Sequence, residues 1–305
     1  ALLASHASLT EHSQPHALRH LGLTPMLRLD IRLSEAAGSS IALRMLELML
    51  RAWAATDASP RCCEPFLLPP HRTLPASPAT GENTYDIPAP DRTVMDAAQY
   101  RLDNLAKPIH SLGFLEHIAV QLAGITGKIR LPSNSRAALC LLSGGEELPT
   151  ELHAIISAMT GARDIDVYLL PAAMESAERH ATIHTVAADH PLLILGSIGS
   201  DAAAVRTALC AAAESGALVL PGDAATDHVV REYCVTSPAL THYVLHLLPE
   251  MITAEIDAPA GIVGILGLEI VRAALHIMND MKTFTEAKVA VAIDGAGAGR
   301  QVREE

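Results

Sequence analysis

Residues 192–201 read LLILGSIGSD, and residues 217–223 read ALVLPGD. Each stretch is a short apolar run that ends in glycine and polar residues, and a helical pattern of apolar residues follows it. Apolar runs over 137–142 and 164–170 repeat this alternation of strand and helix. The pattern predicts an α/β fold, with a mostly parallel Rossmann-like sheet, flanking Ala-rich helices and a small helical subdomain. Ligands of such sheets bind beyond the carboxyl ends of the strands.

Three further stretches have predicted structures. The apolar run Met26–Leu33 predicts a strand, while the spacing of apolar residues over Ile41–Ala55 and Ile262–Met281 predicts two long helices. A break at Lys107-Pro108 divides a helical pattern that extends from Val94 to Gly124. Asp189-His190 resembles a catalytic pair, but we interpret it as an exposed loop pair.

Composition narrows the possible functions. The formal net charge of -12 argues against nucleic acid as a partner, because phosphate backbones are bound by clustered Lys and Arg. No apolar run reaches the ~18 residues of a membrane span. The five cysteines form no CxxC motif, which favours a reduced, cytoplasmic location. The fifteen histidines are scattered and form no HExxH motif, so no metal site is predicted.

The chain divides at a proline-rich stretch over residues 56–92, which is predicted to be a linker. When Met26 is aligned with Met251, a gapless continuation places Leu43 on Leu268 and Leu50 on Leu275. This match indicates an internal repeat, although chance periodicity of two amphipathic helices is an alternative. We therefore predict a C-terminal-like segment of a first copy over 1–55, a shortened second copy over 93–295, and a tail over 296–305.

The run over residues 100–116, YRLDNLAKPIHSLGFLE, is followed by AVQLAGITG at 119–127. It resembles the N-terminal signature of the nicotinate-nucleotide:dimethylbenzimidazole phosphoribosyltransferase family, which activates the lower ligand of cobamides. His110 departs from that signature, because the family has glycine there. Residues 5–43 resemble the family's C-terminal stretch, and residues 279–289, NDMKTFTEAKV, resemble its C-terminus. A segment that resembles the family's C-terminal part thus precedes one that resembles its N-terminal part. This order is expected for a truncated or degenerate tandem copy of the family.

The resemblance implies a pentosyltransferase that moves phosphoribose from nicotinate mononucleotide to dimethylbenzimidazole or a related aromatic base in cobalamin biosynthesis. It places the general base at Glu35, and the corresponding position of the second copy is Ala260. The substrate-binding residues then expected are Ser8, Leu33, Ser34, Gly38, Gly196, Gly199 and Ser200. No cofactor or metal is required by this chemistry. The expected partners are the two small substrates and, in a homodimer or heterodimer, a related chain, with neither nucleic acid nor membrane.

The sequence leaves several alternatives open. One alternative is a catalytically inactive family-like subunit that supports a partner through a shared dimerising fold. Another is an unrelated α/β small-molecule binder that shares the KPxxSLG run, residues 107–113, by chance. Glu35 has a simpler interpretation as a first-turn carboxylate at a helix N-terminus. Gly196 and Gly199 have a simpler interpretation as a plain turn.

Overall fold

The computed structural model describes residues 4–6, 13–32, 37–57, 85–144, 148–171, 173–254, 256 and 258–288. In chain order its helices and strands are α1 (Gln14–Leu21), α2 (Ala37–Asp57), α3 (Arg92–Asn104), α4 (Phe114–Thr126), β1 (Ala137–Ser143), α5 (Thr150–Gly161), β2 (Ile165–Pro171), α6 (Ser176–Asp189), β3 (Leu192–Ile198), α7 (Ala202–Glu214), β4 (Leu218–Pro221), α8 (Ala224–Thr236) and α9 (Ile262–Asp280). A short 3-10 helix, Pro238–Tyr243, follows α8.

The four strands form a wholly parallel sheet in the order β2-β1-β3-β4. All seven residues of β1 are buried, as expected for a strand covered on both faces. Alternate side chains enter two different cores: Leu139 and Leu141 join the core formed with α2, α4, α5 and α9, whereas Cys140 and Leu142 join the core formed with α6, α7 and α8. The predicted fold class is confirmed.

The predicted strand over Met26–Leu33 is wrong for its described part, residues 26–32, where only isolated bridges occur. The backbone there changes partner at almost every step: Met26 N donates to Ala4 O, Arg28 N to Met251 O and Arg32 N to Ser111 O. A regular strand needs one continuous neighbour, which this segment lacks. It instead connects the N-terminal residues to two distant parts of the chain.

Two further differences from the sequence predictions concern α6 and its end. Helix α6 was not predicted, and it begins after a loop at the carboxyl end of β2. His190, expected in an exposed loop pair, is buried directly after α6. Its Nδ1 donates to Val186 O (2.7 Å), and its Nε2 lies 2.8 Å from Asp166 Oδ2 on β2. His190 therefore joins α6 to the sheet.

Helix α9 alone, among the described residues, is long and apolar enough to cross a membrane. It has 19 residues, and 67% of its most apolar window is buried inside the protein. It packs against α2, α4, β3 and β4, which is the environment of a central core helix.

Candidate functional site

A cleft of about 140 Å³ lies at the carboxyl ends of β1 and β3. From the two central strands the chain continues in opposite directions across the sheet: β1 leads to β2 at one edge, and β3 leads to β4 at the other. The cleft therefore lies at the topological switch point of the sheet. Its lining includes Ser143 and Gly144 after β1, and Gly199, Ser200 and Asp201 after β3. The two loops touch, because Gly144 N donates to Ile198 O (2.7 Å). A side chain at Gly144 would overlap the Gly199 carbonyl, so glycine is required for this approach.

Arg179 supplies a positive charge to the cleft. It lies in the first turns of α6 and is buried. Its Nη2 donates to Met174 O (2.9 Å), which holds the guanidinium against the loop after β2. A guanidinium in a partly desolvated cleft is suited to a phosphate or carboxylate, since its planar donors match such oxygens. The site can therefore hold a small anion.

The loop after β3 is arranged by short polar contacts. Ser197 Oγ and Ser200 Oγ are 2.6 Å apart, and Ser197 N donates to Asp223 Oδ2 (2.9 Å). Asp201 caps α7, because its Oδ1 accepts from Ala204 N (2.7 Å). The Asp201 carboxylate therefore already occupies this helix N-terminus, and the positive charge for an anion comes from Arg179.

Gly199 and Ser200 lie in this cleft, as predicted for substrate-binding residues, whereas Gly196 is not part of its lining. Gly196 instead meets the turn before α9: a Cβ there would lie 2.7 Å from the Ala260 carbonyl carbon. Ala260, at φ 61°, is fully buried against the carboxyl end of β3. Ala260, which the predicted sequence repeat aligns with Glu35, thus places a methyl group here.

The N-terminus of α2 forms a second group of predicted residues. Gly38 lies against the His6 ring, and a side chain at Gly38 would overlap that ring. Ser5 Oγ and Ser39 Oγ are 2.8 Å apart. Burial lowers the pKa of His6, and the nearby Asp30 opposes this shift. Four predicted site residues lie outside the described part of the chain: Ser8, Leu33, Ser34 and the general base Glu35.

A charged cluster around Asp227, in the first half of α8, was not predicted from the sequence. Asp227 accepts from Arg231 Nε (2.7 Å) and lies 2.7 Å from His246 Nδ1. Arg231 also donates to Glu250 Oε2 (2.9 Å). Burial by itself would raise the pKa of Asp227, but the hydrogen bonds from His246 and Arg231 lower it below its ordinary value. Only the i,i+4 spacing of Asp227 and Arg231 was visible in the sequence.

One group among the described residues has metal-ligating atoms close together: those of Asp103, His110 and Glu116 lie within 4.8 Å of one another. Glu116 is buried, and its Oε1 accepts from Lys107 Nζ (2.8 Å) and from Leu112 N (3.0 Å). The Lys107 ammonium already neutralises this carboxylate, which disfavours a divalent cation beside it. The group therefore serves to hold the loop between α3 and α4.

A parallel sheet with an arginine-containing cleft at its switch point defines an α/β protein with a candidate site for small ligands. A family model described as phosphoribosyltransferase matches residues 1–58 and 87–151. The chain is 40% identical over 74 residues to a nicotinate-nucleotide–dimethylbenzimidazole phosphoribosyltransferase of Clostridium tetani, which covers 22% of this chain and 20% of that protein. For the enzyme of the same name from Desulforamulus reducens, the identity is 45% over 65 residues, 21% and 18% of the two chains.

The fold is similar to that of CobT from Thermus thermophilus, with a TM-score of 0.52 at 15% identity over 65% of this chain and 99% of that structure. These matches show that residues 1–58 and 87–151 are similar in sequence to phosphoribosyltransferases, and that the fold is similar to that of CobT. The chain spans about a fifth of the length of the curated relatives that it matches.

Proposed function

We propose that the protein transfers phosphoribose from nicotinate mononucleotide to dimethylbenzimidazole or a related aromatic base, in the cytoplasm. The observation that carries the proposal is the family match over both the N-terminal signature and the segment that contains Glu35. The cleft with Arg179, Gly199 and Ser200 supports it, because the phosphate of a mononucleotide needs a cation and a loop without bulky side chains.

In this reaction, a ring nitrogen of the base attacks the anomeric carbon of the ribose. The bond from that carbon to nicotinate breaks, and nicotinate leaves with the bonding electrons. The Glu35 carboxylate takes the proton that the attacking nitrogen loses. The proposal requires no cofactor and no metal.

The test is nicotinate release from nicotinate mononucleotide and dimethylbenzimidazole, measured by chromatography for the wild type, Glu35→Gln and Glu151→Gln. Glu151 is an exposed residue on α5 and serves as the matched control. Loss of a general base lowers kcat by about 10²–10⁴. Wild-type turnover with an unchanged rate for Glu35→Gln would remove Glu35 as the base, and no turnover by the wild type would remove the activity.

A second candidate function is that of an inactive family-like subunit that supports a related enzyme. It is favoured by Ala260, which carries no proton-accepting group at the position corresponding to Glu35. The measurement is the turnover of an active family enzyme with and without this chain. Stimulation in the absence of activity by the chain itself supports this alternative, and no effect contradicts it.

A further inference from the structure

Helices α2 and α9 are related by an internal two-fold arrangement. They begin at Ala37 and Ile262, two positions that the gapless alignment of the sequence repeat places on each other. The residues that precede the helices pair in antiparallel orientation through a bridge between Leu27 and Ile252, which the same alignment also makes equivalent. Equivalent segments therefore face each other across the centre of this bridge.

The hydrogen bonds of the bridge have the same symmetry. Arg28 N donates to Met251 O, and Thr253 N donates to Met26 O, each at 2.8 Å. The repeat makes Met26 equivalent to Met251 and Arg28 equivalent to Thr253, so each bond is the image of the other. This geometry is that of an isologous contact between two copies, here formed within one chain.

The two helices also bury equivalent positions where they meet. Ile41 and Met45 of α2 are buried, and their counterparts Leu266 and Ile270 of α9 are buried as well. The helices contact each other directly. The internal repeat is thus present in the packing of this interface as well as in the sequence.

The symmetry fails on the outer face of α2. Leu43, Leu50 and Trp53 are 66%, 53% and 67% exposed. Their helical spacing places them on one stripe of the helix, with the half-buried Leu46 between them. Three large apolar side chains in one stripe form an apolar surface of the kind that marks an interaction site.

The counterparts of these residues on α9 are part of the central core. Leu268, Leu275 and Met278 are 0%, 2% and 1% exposed, and they belong to the core that α9 shares with α4 and the sheet. The same positions of the repeat are therefore covered on α9, by the α/β unit of residues 85–236, and exposed on α2.

We propose that the outer face of α2 is the docking surface for a second α/β unit of this family, joined ahead of residue 1 as residues 85–236 are joined ahead of α9. The two-fold arrangement identifies the occupant. Residues 85–236 pack a sheet and helix α4 against α9, and the second unit would pack an equivalent sheet and helix against Leu43, Leu50 and Trp53. The inference rests on the internal repeat and is independent of the proposed activity.

The first test uses the chain as it is. Leu50→Glu should leave the Tm unchanged, because the side chain is exposed, whereas Leu275→Glu at the equivalent position should lower it sharply or prevent folding. The emission of Trp53, the only tryptophan, should indicate a solvent-exposed ring at all protein concentrations. A concentration-dependent blue shift that accompanies dimer formation would assign the face to a second copy and overturn the proposal.

The second test adds the proposed occupant. Residues 85–236 are duplicated ahead of Ala1 through a flexible Gly/Ser linker, and Trp53 is followed by its emission and by acrylamide quenching. We expect a blue shift, a severalfold lower quenching constant and slower amide hydrogen exchange over 37–57, all reversed by Leu50→Glu. A second version carries Trp53→Met, the residue found at the equivalent position Met278. It allows the hydrogen-exchange measurement even if the Trp53 indole is too large to fit beneath the added unit. A duplicated unit that folds without protecting α2, or that stays unfolded in both versions, overturns the proposal.

Discussion

Gly196 occupies the point where β3 passes closest to the start of α9, and its lack of a side chain is a packing requirement. The turn at Ala260 and Gly261 fills the space that a Cβ would need. Gly199, which follows in the same motif, has φ 63° and a Cβ position with no neighbour within 4 Å, so its constraint is conformational. Two glycines of one short sequence motif therefore have different physical roles.

Gly196→Ala should destabilise the protein by about 1–3 kcal/mol, because the new methyl group lies 2.7 Å from the Ala260 carbonyl carbon and the core cannot expand freely. Denaturant unfolding followed by circular dichroism measures this. Gly161→Ala is the matched control, since nothing lies within 4 Å of its Cβ position at the end of α5. It should be neutral or stabilising by up to about 1 kcal/mol. Equal effects of the two substitutions would contradict this account.

Asp227 should make the stability depend on pH. Its pKa is lower in the folded protein than in the unfolded chain, because hydrogen bonds from His246 and Arg231 outweigh burial. The contribution of the Asp227 carboxylate to the free energy of unfolding is therefore present above its unfolded pKa of about 3.9, and it is lost as the pH falls through its folded pKa. The difference in unfolding free energy between the wild type and Asp227→Asn should be constant above about pH 5 and should narrow as the pH falls below about 3.9. The exposed Asp96→Asn on α3 should show no such difference, and a constant gap for Asp227→Asn would refute the prediction.

At the scale of elements, the loop between α3 and α4 is held by a buried charge pair. Lys107 and Glu116 both belong to the family-like run over residues 100–116, and the fold brings their side chains to 2.8 Å. The Glu116 carboxylate also accepts from the Leu112 backbone, so it joins the loop to the first turn of α4. The sequence indicated the helix break, while the ion pair was visible only in the structure.

Glu116→Gln should lower the free energy of unfolding by about 3–5 kcal/mol, because it removes the negative charge that neutralises buried Lys107. The measurement is chemical denaturation of the purified variant. Glu151→Gln, at an exposed position of α5, should change the free energy by no more than about 0.5 kcal/mol. A Glu116→Gln variant as stable as this control would show that the pair contributes nothing net.

For the whole molecule, the N-terminal segment and the α/β unit share one core. Ile41, Met45 and Leu48 of α2 belong to the same cluster of buried residues as β1, α4 and α9. Segment 26–32 adds backbone hydrogen bonds to Met251 and Ser111. Unfolding of α2 should therefore be cooperative with unfolding of the sheet.

Leu29→Ala tests this cooperativity, because Leu29 is fully buried in the N-terminal segment. It should cost about 2–5 kcal/mol and speed amide hydrogen exchange in α2 and in the sheet by the same factor. Leu43→Ala, on the exposed face of α2, should stay within about 0.5 kcal/mol of the wild type. Faster exchange in α2 with unchanged exchange in the sheet would indicate a separately unfolding segment.

Only part of the candidate site could be predicted from the sequence. Gly199 and Ser200 were expected at a strand-to-helix turn, and they line the cleft because parallel strands place their carboxyl ends at one edge. Arg179 was not expected, since it is brought there by α6, whose weak apolar pattern gave no helix signal. Gly38 and Glu35 stay predicted substrate-binding and catalytic residues.

The sequence alone determined the fold class, because alternating apolar runs and helical patterns permit few arrangements other than a parallel α/β sheet. It also indicated the resemblance to phosphoribosyltransferases, through contiguous motifs in the two matched segments. Tertiary structure alone decided which repeat positions are covered: Leu268 is buried and Leu43 is exposed, although both stand at the same place in an amphipathic helix. Burial is a property of what packs against a helix face, and that neighbour lies far away in the chain.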